Sequence, residues 1–121
     1  MTRPAGDVER HLPLKAVHHL VLLLLAEEPT YGVELLERLD ERSEGRVRLN
    51  AGSLYRTIAH LTDEGLIEHA EAVVPPSGRG APRKIYRPTE LGLEVLRAET
   101  RRQAGLVEAA RSLDLAGGTE P

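Results

Sequence analysis

The sequence contains no cysteine, tryptophan or phenylalanine, and only three tyrosines. The absence of cysteine excludes disulfide bonds, a thiolate nucleophile and any zinc or iron–sulfur site with cysteine ligands. It fits a reducing compartment, and we expect a cytoplasmic protein. Because large aromatic side chains are scarce, the core must be aliphatic, built mainly from 20 leucines, nine valines and 13 alanines.

Long apolar runs are also missing. The longest run, residues 20–26, has seven residues, whereas a membrane-spanning helix needs about 20. Charged residues precede this run and no small-residue cleavage site follows it, which argues against a secretion signal. With 121 residues, 40% hydrophobic and 29% charged, the composition predicts one soluble globular domain without a membrane partner.

The net charge of −3 hides an uneven distribution. Residues 1–45 carry a net charge of −4, residues 46–87 carry +3, and residues 88–121 carry −2. Residues 72–89 contain four basic residues and no acidic one. A local positive patch attracts phosphate whatever the total charge. The alternative interpretation of this patch is a solvated loop.

Apolar periodicity and turn residues predict four helices, two of them in the first third of the chain. Pro13 is favoured at a first helical position, and the apolar run within residues 14–27 predicts a helix buried on most faces. Thr30 is a good N-cap for a second helix over residues 31–43. Gly45 is a natural stop after it.

A third helix is predicted over residues 51–64, where apolar side chains recur at i, i+4 and i+7. Asn50 can cap its N-terminus, and Gly65 ends it. The side opposite the apolar stripe carries small and polar residues, which a partner could approach closely. These residues are Gly52, Ser53, Arg56, Ala59, His60 and Asp63.

Two short strands are predicted next, over residues 66–74 and 84–87. The segment between them, residues 75–82, contains three prolines and two glycines, which is typical of a loop. Pro88 ends the second strand. The pattern therefore predicts a hairpin with a basic tip.

Thr89 can cap a fourth helix over residues 90–113, which at 1.5 Å per residue is about 36 Å long. That is longer than a domain of this size can cover with its own core. We expect the far half to pack against the same helix of a second subunit. The candidate dimer contacts are Leu96, Gln103, Leu106, Val107, Ala110 and Leu113.

This order of elements predicts a mainly α fold with a small β-hairpin, a winged helix-turn-helix with a C-terminal dimerisation helix. We place the DNA-binding domain at residues 12–88 and the dimerisation helix at residues 89–114. Residues 1–11 are expected to form a flexible arm, and residues 115–121 a flexible tail.

The pattern fits double-stranded DNA. The third helix suits the major groove, where its first turns reach base edges, and its N-terminus attracts phosphate. Arg56 is the natural base reader, while basic residues of the wing would hold phosphates or enter the minor groove. The candidate DNA contacts are Tyr31, Asn50, Gly52, Ser53, Tyr55, Arg56, His60, Arg79, Arg83 and Lys84.

Several ordered motifs resemble the PadR family of bacterial transcriptional regulators. Residues 30–34 read TYGVE, residues 50–55 read NAGSLY, residues 64–67 read EGLI and residues 83–86 read RKIY. Thr89-Glu90 and Gly92 continue the series, so that the match runs from about residue 14 to residue 101. The resemblance implies a homodimeric repressor whose fourth helix supplies the dimer contact and whose DNA contacts cluster on the third helix and the wing. Two recognition helices about 34 Å apart in such a dimer predict a roughly palindromic operator.

The chain departs from the family pattern in two respects. Arg56 and Ala51 stand where proline is common in relatives, which indicates a different base-reading surface. Some relatives sense aromatic compounds, but an aliphatic core argues against a stacking pocket here. A small or aliphatic effector that releases DNA stays compatible with the sequence.

Simpler interpretations compete for several residues. Tyr55 can contact a phosphate or pack at the helix edge, and packing is slightly favoured for Tyr31 and more strongly for Tyr86. The adjacent His18 and His19 point about 100° apart and do not share a metal easily. We expect no metal, no cofactor and no enzymatic activity. The competing functional hypothesis is a winged-helix protein–protein module that binds no DNA, which the acidic first and last thirds favour.

Overall fold

The computed structural model describes residues 5–70 and 84–115, in which five helices and one antiparallel pair of strands form. The helices are α1 (Ala5–Glu9), α2 (Ala16–Glu27), α3 (Gly32–Arg42), α4 (Ala51–Asp63) and α5 (Glu90–Ser112). The strands are β1 (Ile67–His69) and β2 (Tyr86–Pro88). The predicted winged helix-turn-helix order is confirmed. In the described ranges, no helix combines the length and apolar character that crossing a membrane requires.

Helix α2 forms the centre of the core. Four of its apolar positions contribute fully buried side chains, Val21, Leu22, Leu24 and Leu25. They pack with leucines of α3 and α4 and with Val95 of α5. The prediction of a helix buried on most faces is confirmed, although the helix begins at Ala16 rather than at residue 14.

The beginning of α3 differs from the expectation. Tyr31, not Thr30, is the N-cap residue. Thr30 is buried, its hydroxyl donates to Glu34 Oε1 at 3.0 Å, and its carbonyl accepts the Tyr86 N–H at 2.9 Å. The backbone of Thr30 thus extends beside β2, and this tertiary contact replaces the predicted capping role.

Helix α4 follows its local signals closely. The Asn50 side chain accepts the Ser53 N–H at 2.7 Å, as an N-cap residue should. The predicted apolar stripe is buried, and Gly65 takes a φ of +77° just past the helix. That left-handed conformation favours glycine and ends α4.

The two strands pair in the predicted hairpin. Glu68 lies opposite Arg87, and Arg87 Nε donates to Glu68 Oε2 at 3.0 Å. β2 includes Pro88, which was expected to lie beyond the strand. The predicted tip, with Arg79 and Arg83, lies outside the described residues.

The segment before α2 contains an element that the sequence did not predict. Residues 5–9 form α1, and Val8 and Leu12 pack against the core. Val8 belongs to α1, whereas Leu12 follows the turn that ends it. The expectation of a loose arm was therefore wrong for this part of residues 1–11.

Helix α5 begins at its predicted cap, where Thr89 Oγ1 accepts the Gly92 N–H at 3.0 Å. A Cβ on Gly92 would overlap the Leu66 carbonyl oxygen and lie 3.0 Å from its carbonyl carbon. Only glycine permits this close approach, which fixes the start of α5 on the strand that follows α4. With 23 residues, α5 extends well beyond the core.

Candidate nucleic-acid interface

The outer face of α4 is exposed, as the sequence predicts. Gly52, Arg56 and His60 all lie on it, and each is exposed. Arg56 Nη2 donates to Ser53 Oγ at 3.1 Å, which holds the guanidinium beside the first turn of the helix. The Asn50 side-chain oxygen accepts the Ser53 N–H. Asn50 therefore fixes the first turn of α4, on which Gly52 is exposed to a partner.

All three tyrosines line one cavity of about 360 Å³ between α3, α4 and β2, together with Gly32, Val33 and Lys84. A Cβ on Gly32 would lie 2.5 Å from the Tyr55 hydroxyl oxygen. Tyr55 therefore packs on α3 while 47% of its surface stays exposed. Burial, and then the nearby Tyr55, raise the pKa of Tyr86.

This cavity modifies the expectation about aromatic pockets. The core is aliphatic, as predicted, but the few aromatic residues gather at the edge of α4 rather than in the core. Each tyrosine was considered separately in the sequence, where nothing in the local spacing indicates that the three converge.

A second cleft, of about 300 Å³, lies between the start of α2 and the outer face of α4. The His18 and His60 rings both line it and lie beside each other, tilted by 34° with centroids 5.0 Å apart. Burial, followed by His60 and Lys15, lowers the pKa of His18. His60 was a predicted contact, whereas no local pattern indicates that Lys15, His18 and Thr57 join it.

A third histidine lies close by but in a different environment. The His11 side chain is 5% exposed, and its Nδ1 lies 3.5 Å from Glu64 Oε1. Burial and Arg10 lower the pKa of His11. Within the described ranges, no group of three or more His, Asp or Glu side chains could hold a metal ion.

The far half of α5 presents the apolar surface that the sequence predicts. Leu106, Val107 and Leu113 are 59%, 48% and 68% exposed, and Ala110 lies half-buried on the same helix. Leu115, which was not among the predicted contacts, is also exposed but lies beyond the end of α5. We call Leu106, Val107, Ala110 and Leu113 the α5 apolar face.

Two of the predicted dimer contacts are instead used within the chain. Leu96 is buried in the core. Gln103 Nε2 donates to Glu99 Oε2 at 2.8 Å and lies 3.3 Å from His19 Nδ1. The sequence of α5 does not indicate where along the helix the core of the chain ends.

Glu99 is a fully buried carboxylate that joins α5 to the start of α2. Arg102 donates to both of its oxygens, at 2.9 and 2.6 Å, and the Leu14 N–H donates at 3.3 Å. These hydrogen bonds, foremost those from Arg102, lower the pKa of Glu99 to about 2. The network fixes the direction of α5 relative to the helix-turn-helix.

Comparisons with known proteins agree with this geometry. The model of the transcriptional regulator PadR-like family matches residues 21–98. A PadR family transcriptional regulator from Eggerthella lenta DSM 2243 is 30% identical, with 89% of each chain covered and a TM-score of 0.63. A PadR-like transcriptional regulator from Bacillus cereus strain ATCC 14579 is 23% identical, with 90% of this chain and 96% of that chain covered and a TM-score of 0.68. No curated protein matches the chain.

Proposed function

Because the chain belongs to the PadR-like family of transcriptional regulators, we propose that it is a dimeric, sequence-specific DNA-binding repressor. Helix α4 enters the major groove, and the wing, to which Lys84 belongs, contacts phosphates or the minor groove. The observation that carries this proposal is the exposed face of α4. There Arg56 is held by Ser53 one turn inside an N-terminus capped by Asn50.

The α5 apolar face supports the dimer. Leu106 and Leu113 are two helical turns apart, so that both lie along one side of α5. A second copy of α5 is the simplest partner for this side, because identical faces complement each other across a two-fold axis. Two copies of α4 related in this way read half-sites about one helical turn, or about 34 Å, apart. The operator is therefore roughly palindromic.

Selection of duplexes from a random pool tests the proposal and identifies the operator in the same experiment. We expect enrichment of one motif with two-fold symmetry, which we call the selected duplex. Two chains should bind each copy. Failure to enrich any duplex at low salt would contradict DNA recognition and favour the protein–protein module.

Arg56→Ala then tests the assignment of the base reader. The loss of a bidentate contact costs about 1–3 kcal/mol at one base position, so selection with this variant should relax one position in each half-site. Arg97→Ala, at an exposed position of α5, is the matched control and should leave the motif unchanged. An equal loss of affinity for every sequence would show instead that Arg56 contacts phosphate.

A further inference from the structure

The cleft between α2 and α4 has a composition that the base-reading role of α4 does not require. Lys15 and His18 approach it from α2, and Arg56 and His60 from α4. The hydroxyl groups of Ser53 and Thr57 complete its lining. All six described residues of the lining are cationic, titratable to a cation or hydroxyl-bearing, and none is acidic.

We propose that this cleft binds a phosphate of the DNA backbone next to the bases that α4 reads, and that His18 and His60 take up protons when the phosphate binds. The inference rests on the proposed function, since it needs α4 in the major groove. It adds a contact from α2 and a dependence of operator affinity on pH.

The position of the cleft suits a backbone contact. Arg56 belongs both to the cleft and to the base-reading face of α4, so a groove that admits Arg56 brings the flanking strand toward Lys15. Charge-assisted hydrogen bonds from lysine, arginine and protonated histidine to phosphate are short and strong. The partial positive charge at the N-terminus of α2 acts in the same direction.

The histidine pair couples this contact to pH. With ring centroids 5.0 Å apart, the His60 ring disfavours the charged form of His18. The pKa of His18 is accordingly lowered, by burial first and then by His60. A phosphate monoanion of the DNA backbone that lies in the cleft beside the two rings opposes that effect, because a nearby negative charge stabilises an imidazolium ion. Affinity therefore rises as the pH falls through the range in which histidine titrates.

Other charged groups around His18 and His60 do not cancel the rise in DNA affinity at low pH. The carboxylate of Glu64 lies on the loop that follows α4, but its Oε1 is already 3.5 Å from His11 Nδ1 and 3.9 Å from Arg10 Nη1. Among the described residues, Asp63 lies three positions after His60 on α4, and its side chain is exposed, so that solvent screens its charge. The other groups around the pair are cationic or titrate to a cation. The charged and titratable groups around it are Arg10, His11, Lys15, Arg56, Asp63 and Glu64.

Fluorescence anisotropy of the selected duplex at about pH 8 and about pH 6, at constant ionic strength, tests the coupling. We expect the wild-type protein to bind about tenfold more tightly at the lower pH, as linkage predicts for a histidine whose pKa rises on binding. His60→Gln should abolish most of this increase, and because His60 is exposed the variant should fold normally. His18→Gln should act in the same way.

His19→Gln is the matched control, because His19 lies on α2 but contacts Gln103 of α5. It should retain the wild-type increase. Lys15→Gln should reduce the slope of log affinity against log salt by about 0.9, the value for one phosphate contact. A loss of affinity with an unchanged slope would overturn the phosphate assignment.

The outcomes separate this inference from the proposed function. If no duplex is enriched, DNA recognition fails and the cleft proposal fails with it. If the selected duplex binds equally well at both pH values, or if His60→Gln keeps the full increase, the cleft proposal alone is overturned. A rise in the pKa of the His60 imidazole on addition of the duplex, followed by NMR, would support it directly.

Discussion

Glu99→Gln removes one charge from the buried network that holds α5 against the start of α2. The glutamine side chain keeps the shape of glutamate but no longer offers two anionic oxygens to the Arg102 guanidinium. Gln103 and the Leu14 N–H lose part of the same acceptor. We therefore expect the variant to be less stable at neutral pH.

The magnitude follows from the pKa of Glu99, which is about 2 in the folded chain against an ordinary value of 4.5. Because the folded pKa lies below the unfolded one, the carboxylate stabilises the fold above about pH 4.5, and this contribution is lost as the pH falls toward 2. The difference corresponds to about 3 kcal/mol. Since the Arg102 side chain is 38% exposed, screening by solvent reduces it to about 2 kcal/mol.

Urea unfolding followed by circular dichroism, at one fixed chain concentration, measures this contribution. Glu99→Gln should lower the free energy of unfolding by about 2 kcal/mol at pH 7, and most of this gap should close by about pH 3. Glu108→Gln, at an exposed position of the same helix, should match the wild type at both pH values. A Glu99→Gln variant as stable as the wild type at pH 7, or a gap that persists at pH 3, would refute the reasoning.

Four further substitutions test the local structure and the dimer. Gly92→Ala should prevent native packing of α5, because the added Cβ overlaps the Leu66 carbonyl. Gly105→Ala has open space around it and should stabilise the helix by about 0.5–1 kcal/mol. Thermal unfolding of the two variants distinguishes these effects. Asn50→Ala should cost about 1 kcal/mol through loss of the α4 cap, measured by urea unfolding, and no change would contradict the capping role. Leu106→Glu should yield monomers in sedimentation equilibrium, and a wild-type chain that is already monomeric at micromolar concentration would contradict the dimer.

The elements with strong local signals were predictable from sequence. Asn50 and Gly65 delimit α4 within one residue of the prediction, and Thr89 marks the first turn of α5. In each case the side chain or the backbone conformation that begins or ends the helix lies next to that helix in the sequence. Such signals do not depend on the rest of the fold, which is why they can be read directly.

What depends on tertiary contact was not predictable. Thr30 has the chemistry of an N-cap, but its backbone pairs with Tyr86, which lies 56 positions later in the sequence. Helix α1 is too short for periodicity to reveal, and its residue Val8 packs against a core formed by elements far away in the sequence. Leu96 shows the same limit, since spacing on α5 does not tell which apolar residue faces the core.

The candidate site likewise combines residues that local sequence predicts with residues that only tertiary contacts bring together. The exposed face of α4 and Arg56 follow from helical geometry, so the sequence predicted them. The cleft that joins Lys15 and His18 to this face exists only because the start of α2 lies beside α4 in the fold. Neither residue carries a motif of its own, and only the packing of the two helices brings them to His60.

The central claim, sequence-specific DNA recognition, is tested most directly by the affinity for the selected duplex and for a scrambled duplex of equal composition at two salt concentrations. We predict tighter binding to the selected duplex at both concentrations. Affinity for both duplexes should fall steeply as salt rises, because several phosphate contacts release counterions. Equal affinity for the two duplexes, or no binding at the lower salt concentration, would contradict the account.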